Sequence, residues 1–175
     1  MKILKSITLL ALVSHLCGCV AAAVNTSTLA VKAIPRAELK VAAEAGDAES
    51  QYKLGNSYCC MGPGFDTQTA TIWYCKAARQ GNAEAMFELG RIYLGEVSRT
   101  PAPGQKVMRK FVAKESASHA HMWLSLAVAA NHEDARAKLA RLEEHIGEPD
   151  LLQGRAFLTD WQHVACEYEE VFARD

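Results

Sequence analysis

The stretch that decides the fold is GDAESQYKLGNSY at residues 46–58, which returns thirty-five residues later as GNAEAMFELGRIY at residues 81–93. Self-similarity at this period is typical of helical repeat proteins, whose units bury their apolar faces by stacking on one another. A third, partial copy of the repeat lies fifty residues after part of the first. Its residues Trp123, Ala127, Val128 and Asn131 match Trp73, Ala77, Ala78 and Gly81. The longer offset indicates that the third copy is separated from the second unit by an insertion.

The composition favours helices over strands. The chain has 175 residues, of which 50% are hydrophobic and only 7% aromatic, enough for one modest domain. Alanine-rich segments without runs of valine or isoleucine favour close-packed helices, because small side chains lose little entropy in a helix. The sequence therefore predicts an all-α fold, a short α-α superhelix (solenoid) of antiparallel helix pairs.

The charge of the chain argues against nucleic acid as a partner. The formal net charge is −1, and removal of Lys2 and Lys5 with an amino-terminal leader would make it −3. Phosphate backbones bind strongly basic surfaces. We therefore expect a partner other than DNA or RNA.

The first residues have the layout of a secretory signal peptide. Lys2 and Lys5 precede a short apolar run, which is too short to span a bilayer. The segment ends in Leu16-Cys17-Gly18-Cys19, which resembles the bacterial lipobox. That resemblance implies a lipoprotein signal peptide over 1–18 and lipid attachment at Cys19. The residues from Val24 to Val31 show no clear period, and we interpret 19–33 as a flexible tether.

Val20 occupies the position where inner-membrane lipoproteins of this type carry an aspartate. The resemblance therefore implies a lipid anchor in the bacterial outer membrane, on its periplasmic side. The alternative is a plain signal peptide cut after the alanines at 21–23, which would leave a secreted or periplasmic soluble protein.

Two short hinges are predicted between the helices of the repeats. Gly46 suits the left-handed stop of one helix, and Asp47 can accept a hydrogen bond from the free amides of the next. Gly81 and Asn82 repeat this pattern. Gly55 lies inside a helical pattern, where glycine is unfavourable, which predicts that a neighbouring helix packs closely against it.

These residues together resemble the Sel-one-like repeat, a relative of the tetratricopeptide repeat. The matching positions are Leu54-Gly55, Tyr58, Gly62, Gly64, Asp66, Ala70, Trp73-Tyr74, Lys76-Ala77-Ala78 and Gly81, followed by Leu89-Gly90, Tyr93 and Trp123. The resemblance implies a repeat domain over 34–147 that binds proteins through its surface. The loop between Gly64 and Ala70 is shorter than in the family, so we expect it to be irregular.

An insertion is predicted at 95–118, and a cap at 148–175. The insertion carries five basic residues against two acidic ones, which fits either a solvated loop or a contact arm for an acidic partner or lipid headgroups. In the last segment six residues fall on one helical stripe: Leu151, Leu158, Trp161, Ala165, Tyr168 and Phe172. We interpret 148–175 as a single capping helix that covers the last repeat.

Four cysteines outside the leader are candidates for disulfides: Cys59, Cys60, Cys75 and Cys166. An oxidising envelope compartment favours disulfides between them. A bond from Cys59 or Cys60 to Cys75 would staple the first helical hairpin. Four cysteines allow three complete pairings, and buried free thiols are the alternative.

No residue pattern indicates catalysis, a cofactor or a metal. Cys59 and Cys60 are adjacent, without the gap that lets two thiolates share a zinc ion. His119 and His121 are two residues apart, which places them on opposite sides of a helix. Trp73 and Trp123 occupy equivalent repeat positions and are predicted to be core residues.

We therefore expect a non-enzymatic scaffold that binds a protein partner and is held at the membrane by a lipid anchor. The predicted contact residues, on the concave face formed by the first helix of each pair, are Gln51, Asn56, Glu88 and Arg91. Two alternatives remain: an envelope enzyme acting on cell-wall or beta-lactam substrates, as attributed to cysteine-rich members of the family, and an assembly or immunity factor of an envelope complex.

Overall fold

The computed structural model describes residues 36–59, 66–96 and 115–173. Every regular element in these ranges is a helix and none is a strand, which confirms the predicted all-α fold. Helix α1 covers 36–44 of the described chain. The others are α2 Ala48–Tyr58, α3 Thr67–Arg79, α4 Ala83–Tyr93, α5 Ala117–Ala129, α6 Ala135–Glu143, α7 Glu148–Phe157, a 3₁₀ helix Leu158–His163 and α8 Tyr168–Val171.

Successive helices pack on their neighbours within one compact unit, Leu39–Asp175. Helix α3 lies between α2 and α4, and α5 contacts α4, α6 and α7. The core is continuous from α3 to α6 and contains fully buried rings of Tyr74, Tyr93 and Trp123. Trp73 is also buried, against Leu54 and Ala43, so both tryptophans are core residues as predicted.

The hinges between helices have the predicted conformations. Gly46 and Gly81 adopt φ of 100° and 91°, the left-handed region that favours glycine. Asp47 then accepts a hydrogen bond from the amide of Ser50, and Asn82 accepts one from the amide of Ala85, which caps α2 and α4. The third hinge uses Asn131, at φ 62°, in the place of the two glycines.

The carboxyl-terminal region is not the single capping helix predicted for 148–175. Helix α7 ends at Phe157, and the 3₁₀ helix that follows is kinked at Asp160, whose φ of −141° is not helical. The backbone is extended at Val164 and again at Glu167, which caps the one-turn helix α8. The predicted stripe therefore runs through three short helical pieces and not through one helix.

The disulfide pairing also differs from the predicted hairpin staple. Cys75 in α3 is bonded to Cys166, which lies 91 residues later in the sequence, and not to Cys59 or Cys60. Both bonded residues are fully buried. The bond attaches the carboxyl-terminal segment to α3, a long-range contact that helix spacing alone does not indicate. Cys59 is also disulfide-bonded.

Several predicted features lie outside the described residues. They are the signal peptide 1–18, the lipid-attachment residue Cys19, the tether 19–33, Cys60 and most of the insertion 95–118. At the end of the insertion, Ala117 and Ser118 already belong to α5.

Candidate partner-binding face

The side of the repeats formed by α2 and α4 gathers most of the predicted contact residues. We define the first-helix face as Tyr52 and Asn56 of α2 together with Glu84, Glu88 and Arg91 of α4. Asn56 and Glu84 are exposed and the other three are half-buried. Three of the four contact residues predicted from the sequence therefore lie together here.

Asn56 is held in place by a tyrosine from the helix behind it. The hydroxyl of the buried Tyr74 in α3 donates a hydrogen bond to Asn56 Oδ1 over 2.6 Å. The ring of Tyr52 lies 6.1 Å from the ring of Tyr74, centroid to centroid. The exposed amide of Asn56 is thus oriented by a core residue.

The surroundings of Tyr52 and Tyr74 raise the pKa of both hydroxyls. Burial raises the pKa of Tyr52, its hydrogen bond with Asn56 opposes that rise, and the carboxylates of Glu84 and Glu88 add to it. Burial likewise raises the pKa of Tyr74 far above its usual value, with Glu88 adding to the effect. Both groups are therefore neutral donors near pH 7.

A chain of charged side chains connects α4 to α6. Arg91 donates to both carboxylate oxygens of Glu88, at 2.9 and 3.1 Å, and its Nε lies 3.7 Å from Glu96. Lys138 of α6 donates to both oxygens of Glu96 at 2.6 Å. Alternating signs along this chain fix the orientation of Arg91, whose side chain is 37% exposed and accessible to a partner.

Contacts between successive repeats recur at equivalent positions. Asn82, at the start of α4, donates to Glu49 of α2 over 3.3 Å. His132, at the corresponding position after α5, lies 3.1 Å from Glu84 of α4 and stacks on Phe87 with 4.0 Å between ring centroids. A glutamate in the first turn of one repeat thus holds the hinge of the next.

Gln51, the fourth predicted contact residue, does not belong to the face. Its side chain is buried, and its Nε2 donates to the carbonyl of Ala43 over 3.0 Å. Its Oε1 accepts from Gln80 Nε2 over 2.7 Å. Gln51 joins the end of α1 to the end of α3, so the prediction that it is exposed was wrong.

Sequence reasoning missed the two tyrosines of the face because it treated them as packing residues. Tyr52 and Tyr74 do pack, yet each hydroxyl also contributes a polar group near Asn56 and Glu88. The available signal was the repeat alignment, which places Tyr52 opposite Phe87 and Tyr74 opposite Leu124. Where one repeat has tyrosine and the next has an apolar residue at the same position, the tyrosine hydroxyl is a candidate for a specific hydrogen bond.

The two neighbouring histidines of α5 serve different parts of the fold. His121 is buried, and its Nε2 lies 3.0 Å from Glu143 of α6. His119 lies between the rings of Tyr93 and Phe157, at 5.6 and 4.7 Å. Among residues 36–59, 66–96 and 115–173, no group of three or more His, Cys, Asp or Glu side chains could hold a metal ion.

No protein-family model matches the chain, and no curated protein matches it. In the described part of the chain, no helix has the length and apolar character needed to cross a membrane.

Proposed function

We propose that this protein is a non-enzymatic scaffold of the Sel-one-like repeat type, which binds a protein partner through the first-helix face. The observation that carries the proposal is that accessible polar groups of the face are already held in place by other side chains. Asn56 is fixed by Tyr74, and Arg91 is fixed by Glu88 and Glu96. Side chains already held in one geometry lose little entropy when a partner binds them.

The mixture of groups on this face suits protein recognition. Tyrosine and arginine are the residue types that contribute most energy at interfaces, because they combine a large contact area with hydrogen-bond donors. Tyr52 lies on α2 and Arg91 on α4, the first helices of two successive repeats. Polar residues beside them, Asn56 and Glu84, can form the hydrated rim of such an interface.

Affinity capture from crosslinked bacterial envelopes tests this function. We expect the double variant Asn56→Asp/Arg91→Ala to lose its partner, with binding weakened by at least about tenfold. The melting temperature should stay near that of the wild type, because aspartate at residue 56 still accepts from the buried Tyr74 hydroxyl. The control is Lys40→Ala/Glu44→Ala, which removes an exposed ion pair on α1. Equal recovery of partners by both double variants would contradict the assignment of the face.

The proposal includes a lipid anchor at Cys19 in the outer membrane, with the repeats on the periplasmic side. Replacing Cys19 by Ala removes the acceptor thiol. Metabolic labelling with a radioactive fatty acid should then be lost, and the protein should leave the membrane fraction. If Cys19→Ala is labelled as strongly as the wild type, the lipobox interpretation is wrong.

A further inference from the structure

The last part of the chain lies in a cleft formed by two repeats. We define the tail as residues 164–172 and the tail cleft as Thr71 and Cys75 of α3 with Tyr93 of α4. Cys166 is bonded to Cys75. The Tyr93 hydroxyl donates to the carbonyl of Cys166, and the amide of Tyr168 donates to Thr71 Oγ1 over 3.1 Å.

These hydrogen bonds recognise the backbone of the tail. The tail is extended at Val164, with ψ 141°, and at Glu167, with ψ 148°, and its remaining residues form the one-turn helix α8. Side chains of the repeats supply one donor and one acceptor to it. The Phe172 ring lies 5.9 Å from that of Tyr93, which adds an apolar anchor. The cleft therefore has the features of a peptide-binding site that is filled by its own chain.

The tail is also stabilised by hydrogen bonds between its own residues. One carboxylate oxygen of Glu170 accepts from the amides of both Cys166 and Glu167, each over 3.0 Å. The chain reaches the tail through the non-helical residue Asp160. The tail is thus ordered by its own contacts as well as by those with the repeats, although Cys166 is buried in the core.

We propose that Thr71, Cys75 and Tyr93 form a peptide-binding cleft whose ligand is the tail, and that it accepts the tail of a second copy once the Cys75–Cys166 bond is opened. Exchange of identical segments restores every contact, so it costs little. The cleft is independent of the first-helix face. While the disulfide is closed, the covalent bond holds the chain's own tail in the cleft and a second copy cannot replace it. Once the bond is open, the tethered tail and the tail of a second copy compete for the cleft.

The opening step needs a reductant, which we take to be a dithiol. Its two sulfurs become one disulfide, and Cys75 and Cys166 become two thiols, with transfer of two electrons and two protons. In the reverse step a small-molecule disulfide accepts the two electrons. It leaves as two thiols, while Cys75 bonds to Cys166 of either its own chain or the second copy.

Isotope mixing tests exchange with the unaltered full chain. Light and ¹⁵N-labelled protein are mixed in equal amounts, reduced with a dithiol under native conditions, reoxidised with a small-molecule disulfide and digested. Exchange predicts light–heavy Cys75–Cys166 peptides, whose fraction rises with protein concentration. No such hybrids at any concentration, or linkage of Cys75 to other cysteines as often as to Cys166, overturns the proposal.

Peptide capture tests the cleft itself. The probe is a peptide of residues 158–173 in which Cys166 carries a small thiol as a mixed disulfide, and the target is the full chain with Cys166→Ser. Cys75 attacks the peptide sulfur and releases the small thiol. We expect a peptide with Phe172→Ala to be captured about tenfold more slowly, because it lacks the ring that contacts Tyr93.

The converse change must have the opposite effect. Phe172→Ala in the Cys166→Ser protein weakens its own tail and should speed capture of the unaltered peptide. The peptide-binding cleft is ruled out if Cys75 captures both peptides at equal rates. It is also ruled out if Cys75 captures the peptide no faster than it reacts with a small disulfide. If Cys166→Ser fails to fold, as judged by circular dichroism, the isotope experiment still decides whether tails exchange.

Discussion

Gly55 of α2 lies directly against the ring of Tyr74 in α3, so closely that a Cβ at residue 55 would be 2.6 Å from a ring carbon. The next repeat has the same relationship, since a Cβ at Gly90 would be 2.7 Å from the Leu124 side chain. Real Cβ atoms do not approach other atoms this closely. Glycine is therefore required at both crossings between the two helices of a repeat.

Alanine at either glycine should destabilise the protein. Overpacking costs about 1–3 kcal/mol, and the better helix propensity of alanine returns about 1 kcal/mol of this. We expect Gly55→Ala and Gly90→Ala to lower the free energy of unfolding by up to about 2 kcal/mol in urea titrations. At Gly147 a Cβ would meet only Pro149, at 3.8 Å, so Gly147→Ala is the control. A loss at Gly147 equal to that at Gly55 would argue against the steric explanation.

Asn131 should be replaceable by glycine but not by alanine. It holds the left-handed conformation, at φ 62°, that Gly46 and Gly81 adopt at the other hinges. Alanine lacks the side-chain amide that helps asparagine tolerate this region, so Asn131→Ala should lower the free energy of unfolding by about 1 kcal/mol. Asn131→Gly should leave it unchanged or raise it.

The neighbouring Ala130 provides the control for this prediction. It has φ −84°, so Ala130→Gly relieves no strain and should only destabilise. Thermal melts of the three variants separate the two effects. A gain in stability for Ala130→Gly as large as for Asn131→Gly would contradict the role of the left-handed conformation.

The local features of the fold could be predicted from the sequence because the same residues occur at equivalent positions of successive repeats. The hinges at Gly46 and Gly81, the close packing at Gly55 and the burial of Trp73 and Trp123 each follow from a short pattern that occurs more than once. The Cys75–Cys166 bond and the kink at Asp160 occur once, and both depend on how the last segment meets a surface formed by distant residues. Apolar residues at helical spacing indicate which side of such a segment is buried. They do not indicate where its backbone leaves the helical conformation.

Gln51 was wrongly predicted to be exposed, also because its burial depends on distant residues. A polar residue on the first helix of a repeat is usually exposed, yet the partners of Gln51 are the ends of two other helices. Gln51→Ala should lower the free energy of unfolding by about 1–2 kcal/mol, because it removes the hydrogen bonds with Ala43 and Gln80, while the Ala43 carbonyl keeps the amide of Gly46 as a donor. The control on the same helix is Lys53→Ala, whose exposed ion pair with Glu49 contributes about 0.5 kcal/mol or less. Equal losses for the two variants would show that Gln51 has no special role.

Removing the disulfide should cost more than any of these changes. Cross-linking residues separated by 91 positions constrains the unfolded chain strongly, and disulfides of this kind contribute about 2–5 kcal/mol. We expect Cys75→Ala/Cys166→Ala to lower the urea midpoint and to raise the slope of the transition, because the unfolded chain becomes less compact. An unchanged midpoint would show that noncovalent contacts of the tail suffice.

His119 makes stability depend on pH. Burial lowers its pKa from 6.5 to about 4, because the imidazolium is poorly solvated between Tyr93 and Phe157. Between these values the unfolded chain binds a proton that the folded chain does not. The contribution of His119 is therefore complete above pH 6.5 and decreases as the pH falls toward 4.

Replacing His119 by phenylalanine isolates this effect, since it keeps a ring in the cluster and removes the titrating group. After a discount for partial exposure, the wild type should lose about 1–2 kcal/mol more than His119→Phe between pH 7 and pH 4. Urea titrations of both proteins across this range give the difference. His163→Phe is the control for the substitution itself, because the side chain of His163 is exposed, 82% accessible. Parallel curves for wild type and His119→Phe would show that another group titrates, since the cluster around Tyr93 would then bind the charged and neutral ring equally well.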